Sequence, residues 1–514
     1  MIVILHKHNK FVKVYDNITK KAISISDNGL VNVFFELARR FKNRLIVWCD
    51  DDLRDYINAE EFNQVFYHKL VMASFEVGDT NYIDDRIGYV ESSPFIKINK
   101  SVNYPTWIMG SSIGGINSDV LACYNVKDYK NRTFDYTLNS IAKLGIVNGL
   151  FCYSSPKLLR ENIKHSNNDK SSKYEMFKFI KEHYRGRWTY IAFFNSLVYE
   201  KRFLLLPLIM SFFTSKKINK PSFKELKTSV NNNFNSNVTL DVIIPTIGRK
   251  EFLYNVLKDL SHQTLLPKSV IIIEQNSDHA SKTTLDYLQN ESWPFHIKHS
   301  FINKTGACNA RNMALKQTES DWIFLADDDI RFKEKTFEIA LKEIYSYGLN
   351  AATLACLRRG DKEIKQPILQ WNTFGSGCSI ISNRIAKLIA FDIAFEHGFG
   401  EDGDFGMQIR NLGEDIAYLP KCKLLHLKAS TGGFRTNFIP PWKDHEIQPK
   451  PLPTIMLYNL KHQSCFQING YKTILFLKYF KLQDNRNIVS YFFQMKKQWQ
   501  KSVYLAKQLK TQSN

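Results

Sequence analysis

From residue 238 onward, apolar and polar positions follow two alternating rhythms. Val238–Pro245 is a short apolar run of the kind a buried strand needs, and Arg249–Gln263 carries apolar residues at the spacing of an amphipathic helix. The succession continues with a strand over Ser269–Glu274, a helix over Ala280–Asn290, a short strand over His296–Phe301 and a helix over Ala307–Gln317. A strand over Trp322–Leu325 then runs into Asp327–Asp329. Strands alternating with helices predict an α/β fold: a mainly parallel sheet flanked by helices, binding its ligand at the carboxyl ends of the strands. Pro245, Glu274 and Asp327 stand at those ends. Residues 1–215 open in the same way, with a strand at Ile2–Leu5, a helix at Gly29–Arg40, a strand at Arg44–Trp48 and then Asp50–Asp52, which predicts a separate N-terminal α/β domain. The basic and Asn-rich stretch 216–237 has neither period and reads as a linker to a domain over 238–435. Residues 436–514 open with a run of prolines and continue as a helical C-terminal tail. Beyond the shared opening rhythm, the pattern shows no internal repeat.

Charge narrows the class of partner. Lys plus Arg number 70 against 50 acids, a net charge of +20, which calls for an anionic partner. The basic residues are scattered and build no helix-turn-helix, zinc-finger or RNA-recognition signature, so nucleic acid is set aside in favour of a diphosphate ligand or an anionic membrane surface. The greasiest run, Phe203–Phe213, is interrupted by Pro207 and falls short of the ~20 residues a membrane span needs. In the tail, Ile488, Phe492, Met495, Trp499 and Val503 recur at helical spacing among lysines. That pattern predicts a helix packed on its own domain, with an interfacial membrane helix as the alternative. The apolar N-terminal run is too short for a secretory signal, and the eight cysteines form no CxxC pair. The expected location is the cytoplasm, peripheral on the inner membrane.

Two acidic clusters carry the candidate chemistry. Asp327, Asp328 and Asp329 crowd the end of a buried strand, where a divalent cation, Mn2+ or Mg2+, would relieve their repulsion. Glu401 and Asp402 open a helix at Phe405–Asn411, where the backbone dipole favours carboxylates. A second pair, Glu414 and Asp415, follows Gly413 in a turn before the strand Ile416–Leu419 and reads as solvated.

The order of segments is similar to that of the inverting family 2 glycosyltransferases of the GT-A fold. DVIIPTIGRKEFL resembles that family's opening strand and loop, SHQTLLPKSVIIIEQNS its second unit and NKTGACNARNMAL its Ala-Arg-Asn segment. WIFLADDDI resembles its Asp-x-Asp strand, FGSGCSIISNRIA its acceptor-side loop and GFGEDGDFGMQIRNLGEDIAYLP its Glu-Asp segment. The resemblance implies transfer of a sugar from a nucleotide-diphosphate donor, a UDP-sugar, to a glycan or lipid-linked acceptor in bacterial surface-polysaccharide synthesis. It makes Asp402 the general base and Glu401 its orienting neighbour. Asp329 and His426 would ligate the metal, with Asp327 and Asp328 on the ribose or supporting the metal. Pro245, Ile247, Glu274 and Arg311 would bind the nucleotide, and Gly432, Gly433 and Arg435 would form a loop closing over it. Two departures stand out: Gln275 follows Glu274 where the family has a second acid, and Ile247 replaces an aromatic. The N-terminal domain, with its Asp50–Asp52 triplet and no Glu-Asp segment after it, reads as a degenerate relative. A sugar-phosphate nucleotidyltransferase and a non-catalytic glycan- or lipid-binding scaffold remain the alternatives.

Overall fold

A computed structural model describes residues 1–161, 170–214, 219–226, 228, 237–365, 367–429, 438–483 and 487–512. The chain divides into two compact units: Met1–Val230 with Gln463–Leu482, and Asn231–His462 with Gln483–Asn514. Both are α/β.

The first unit holds strands β1 (Ile2–Lys7), β2 (Lys10–Asp16), β3 (Leu45–Asp50), β4 (Val71–Phe75), β5 (Tyr104–Pro105), β6 (Ile113–Asn117) and β7 (Phe151–Ser154). They lie side by side in the order β2-β1-β3-β6-β4-β7-β5. The second unit holds β8 (Leu240–Thr246), β9 (Ser269–Gln275), β10 (His296–Ile302), β11 (Trp322–Ala326), β12 (Ile330–Arg331), β13 (Ala351–Arg358), β14 (Leu369–Gln370), β15 (Cys378–Ser382) and β16 (Ala417–His426). Their order is β10-β9-β8-β11-β15-β13-β16-β12, with β14 also paired to β16. β8, β9 and β11 are buried almost throughout, as expected for parallel strands covered on both faces, and this is why they read as unbroken apolar runs. The register of β8 and β11 is pinned by the buried Asp241 carboxylate, which accepts from the Glu319 and Ser320 amides at 2.7 and 2.9 Å.

The two sheets share a topology. β1, β3, β6, β4, β7 and β5 correspond to β8, β11, β15, β13, β16 and β14: the neighbours match, the chain order matches, and so does every direction. β1 is parallel to β3 as β8 is to β11, and β4 to β7 as β13 is to β16. β6 is antiparallel to both its neighbours as β15 is to its own, and β5 to β7 as β14 is to β16. The hydrogen-bond ladder agrees to the residue: Asp50 N–H donates to Ser112 O at 2.8 Å, and Asp327 N–H to Gly377 O at 3.1 Å. The expectation of no internal repeat is therefore corrected. The repeat is clearest in the backbone pairing, and among side chains it surfaces in the Asp triplets at the ends of β3 and β11.

A second correction concerns the helix expected over Ala280–Asn290. Only Tyr287–Asn290 is helical. Asp278 accepts from the Ala280 amide at 2.9 Å, and Glu274 takes the Thr283 hydroxyl at 2.5 Å and the Thr284 amide at 3.5 Å. These side-chain acceptors compete with helical bonding and hold the segment irregular. The tail forms helices Pro453–His462, Cys465–Phe480 and Ile488–Gln512. The middle one belongs to the first unit, where Gln467 donates to Ser93 O at 3.0 Å and Thr473 to Asn195 at 2.6 Å. The last belongs to the second unit and buries Met495, Trp499 and Ala506. Among the described residues, no helix is long and apolar enough to cross a membrane.

Candidate active site

Four strand ends and one helix start deliver the polar residues of the second unit to a single cavity of about 670 Å3, within the range that encloses a small-molecule ligand. β8 brings Pro245 and Thr246, followed by Ile247 and Arg249; β11 brings Asp327–Asp329; β16 brings His426. The turn into β15 brings Ser376 and Gly377, and the helix Glu401–Asn411 presents Glu401 and Asp402 in its first turn.

The three aspartates differ sharply in environment. Asp327 faces the cavity and pairs with Arg311 Nη2 at 3.0 Å. A Cβ on Gly377 would overlap its carboxylate, so glycine here leaves room for Asp327 in its present position. Asp328 is buried and accepts from Thr246 Oγ1 at 2.7 Å and Arg249 Nη1 at 2.5 Å. Burial outweighs both contacts and pushes its carboxyl up to about 6. Asp329 accepts from the Ala429 amide at 2.9 Å and lies 3.3 Å from His426 Nε2. Burial raises its carboxyl, but His426 and the amide prevail and hold it below the usual range. The same contact raises His426.

Asp327, Asp329 and His426 offer ligand atoms that lie within 4.8 Å of one another, the one such group among the described residues. Two carboxylates and an imidazole form a donor set suited to Mn2+ or Mg2+, and neighbouring protein cations already compensate the same carboxylates. The residues therefore fit a divalent cation. Asp328 is not in the group, because its carboxylate is turned to Thr246 and Arg249.

In the same cavity, Asp402 accepts from the Ser376 amide at 3.1 Å. Burial raises its carboxyl against the opposing pull of Arg311. Burial and the adjacent Asp402 together push Glu401 up to about 7. Arg311 lies on the helix Ala307–Leu315, buried, with its guanidinium 5.6 Å from the Phe391 ring and its charge shared among Asp327, Asp402 and Glu401. Its ion pair is with Asp327, and its charge favours the ionised forms of Asp402 and Glu401 as well. Asp404 takes no part in the cavity. It anchors its helix to Pro453–His462 through Lys461 at 2.6 Å and His462 at 2.7 Å.

Of the residues expected at the site, Pro245, Ile247, Arg311, Asp327, Asp328, Asp329, Glu401, Asp402 and His426 line this cavity. Glu274 does not line it: its carboxylate engages Thr283 and, at 3.0 Å, His299 Nε2. Gln275 lines it instead, its carboxamide oxygen accepting from the Gly306 amide at 2.6 Å. Gly432, Gly433 and Arg435 lie outside the described residues. Sequence reasoning passed over Arg249, Thr246 and Glu396. Glu396 accepts from the Cys308 and Asn309 amides at 3.0 and 2.9 Å and so caps the helix that carries Arg311. Its signal was Gly306, whose φ of +150° and lack of a Cβ let the Glu396 carboxyl approach.

The first unit's triplet occupies the equivalent strand end in a different state. Asp50 is buried and accepts from the Asp52 amide at 3.1 Å, while Lys7 pairs with Asp52 at 2.8 Å and Arg54 with Asp51 at 3.6 Å. The helix before β7, Phe134–Ile146, has Asp135 as the acid of its first turn, and that carboxylate accepts from Asn9 at 2.6 Å.

Residues 241–411 match the model of Glycosyl transferase family 2. An uncharacterized glycosyltransferase of Haemophilus influenzae is 26% identical over 187 residues, covering 35% of this chain; the chain spans 61% of that protein's length. Among solved structures, S. aureus TarS 1–349 in complex with UDP-GlcNAc is 19% identical, with a TM-score of 0.37 over 46% of this chain and 70% of that one. The same TarS fragment in complex with UDP is 19% identical, with a TM-score of 0.35 over 49% and 74%.

Proposed function

Residues 241–411 form a family 2 glycosyltransferase segment, and from this we propose that the second unit transfers a sugar, with inversion, from a nucleoside-diphosphate donor to an acceptor hydroxyl. The observation that carries the reading is the convergence of two acidic clusters on one cavity, with the buried Arg311 paired to Asp327 at 3.0 Å and its charge also felt by Asp402. Asp402 is the base: held by the Ser376 amide, its carboxylate takes the proton of the acceptor hydroxyl. The hydroxyl oxygen then bonds to the anomeric carbon while the bond from that carbon to the diphosphate oxygen breaks, and the diphosphate leaves with the electron pair. Glu401, raised by burial and by Asp402, keeps its proton to about pH 7. A divalent cation held by Asp327, Asp329 and His426 would supply positive charge where the leaving diphosphate develops negative charge. Arg249, at the end of β8, contributes a fixed charge on the same side.

Gln275 suits a uridine donor. Gly306 occupies its carboxamide oxygen, so the amide nitrogen is the group that would donate to a uracil carbonyl. His397 stacked on Phe438 at 4.3 Å, with Trp442 nearby in the lining, supplies an aromatic wall for a glycan acceptor. A lipid-linked acceptor in surface-polysaccharide synthesis at the inner membrane face completes the proposal.

The test is nucleoside diphosphate release from a panel of nucleotide sugars, with soluble and lipid-linked acceptors, in Mn2+, Mg2+ or chelator. Release from one donor that needs metal and disappears in both Asp329→Ala and Asp402→Asn is the expected result. Release that persists undiminished in both variants would remove these residues from the mechanism.

A further inference from the structure

In the first unit, the helices Arg187–Glu200 and Leu205–Phe212 pack part of their apolar surface on the core, through Trp188, Ala192, Phe193, Tyr199 and Leu208, and leave a second apolar set outside. The first buries Thr189, Ala192, Asn195 and Ser196, which are small or polar, and turns Tyr190, Phe194, Leu197 and Val198 to the surface. The second buries Pro207, Leu208 and Ser211 and exposes its larger side chains, Leu206 at 65% and Met210 at 55%, with Phe213 just beyond its end at 82%. Within the unit, Asn195 Oδ1 accepts from Thr473 at 2.6 Å, and Ser211 donates to Leu208 O at 2.6 Å. A surface helix in water buries its apolar face and exposes its polar one. This pair exposes large apolar side chains as well, and a concentration of exposed apolar side chains marks an interaction site.

Charge identifies the occupant. Between Arg185 and Thr214 the basic residues are Arg185, Arg187, Lys201 and Arg202, all exposed. The one acid is Glu200, held by Arg86 at 2.8 Å with Arg202 at 3.6 Å. Within this segment, every exposed charge is therefore positive. A second copy docked by two-fold symmetry would set the same residues against one another, cation against cation. An anionic bilayer surface offers the complement, with acyl chains for the exposed apolar side chains and headgroup phosphates for the basic ones.

We propose that this helical hairpin docks the protein on an anionic lipid surface, lying in the interface without crossing it. The inference goes beyond the transferase reading and does not depend on it, because it is read from lipid binding alone.

The test is flotation of the full 514-residue chain with phosphatidylcholine vesicles and with vesicles that also contain phosphatidylglycerol. The wild type is expected to float with the anionic vesicles, to bind the neutral ones far less and to be released by salt. Leu206→Ser/Phe213→Ser changes two exposed side chains and should lower the vesicle partition constant at least tenfold. Lys201→Gln/Arg202→Gln should lower it roughly 25-fold, at about fivefold per charge. Circular dichroism and diphosphate release from a soluble donor should be unchanged in both. Wild type that floats with neither vesicle, or a Leu206→Ser/Phe213→Ser variant that floats as well as wild type, overturns the proposal. So does a wild-type dimer in light scattering that this variant breaks without any change in flotation.

Discussion

Replacing Glu401 with glutamine probes the electrostatics of the site independently of catalysis. The Glu401 carboxyl is raised from 4.5 to about 7 by burial and by the neighbouring Asp402. Its folded value lies above its unfolded value, so between about pH 4.5 and 7 the folded chain keeps a proton that the unfolded chain has lost. Stability therefore falls as pH rises through this window, and the full penalty applies above it. At about 1.4 kcal/mol per pH unit the gap corresponds to about 3 kcal/mol, and solvent screening in the open cavity lowers this to roughly 1–3 kcal/mol. Glutamine keeps the shape and cannot ionise. Glu401→Gln should therefore match the wild type at pH 4.5 and be more stable at pH 8, by roughly 3–10 °C in Tm for a unit of this size. The assay is thermal melting at both pH values in chelator and without donor. A Tm difference that is the same at pH 4.5 and pH 8, or a variant less stable than wild type at pH 8, would refute the account. The same variant should lose transfer activity, placing the two effects in opposition as expected for a strained catalytic group.

Three further outcomes follow from named contacts. Glu396→Ala removes both acceptors from the N-terminus of the Arg311 helix; it should cost about 1–2 kcal/mol by denaturant titration and lower kcat, and unchanged values would show that the cap does not position Arg311. Gly377→Ala forces the Asp327 carboxylate away from Arg311, so Mn2+ affinity by calorimetry should fall ~10–100-fold with little change in Tm, whereas unaltered affinity would remove Asp327 from the ligand set. His426 is raised by Asp329 and keeps its proton to higher pH than an ordinary histidine. Mn2+ must displace that proton, so calorimetry in buffers of different ionisation enthalpy should show more proton release at pH 6.5 than at pH 8.5 for the wild type, and a smaller difference for His426→Ala.

Much of the second unit was legible along the chain. Its strands are covered on both faces, so β8, β9 and β11 had to be continuous apolar runs, and acids placed directly after one of them, or at a helix start, could be located from local pattern alone. Local pattern also misled where a distant group intervened. The Glu274 carboxylate, at the end of β9, dissolved a helix that the spacing of 280–290 had suggested. Neither the inward turn of Asp328 nor the cap from Glu396 could be read from spacing, because the partners of Asp328 lie 82 and 79 residues away and those of Glu396 lie 88 and 87. The matching sheet left little trace in residue identity beyond the two Asp triplets, Asp50–Asp52 and Asp327–Asp329, since main-chain pairing between strands tolerates almost any side chain that suits the burial. Composition alone determined the positive charge and the absence of a spanning run. Whether the apolar residues at 190–213 face inward or outward was decided by tertiary packing, in which the small polar face of the first helix meets the helix Cys465–Phe480 and leaves the large side chains on the surface.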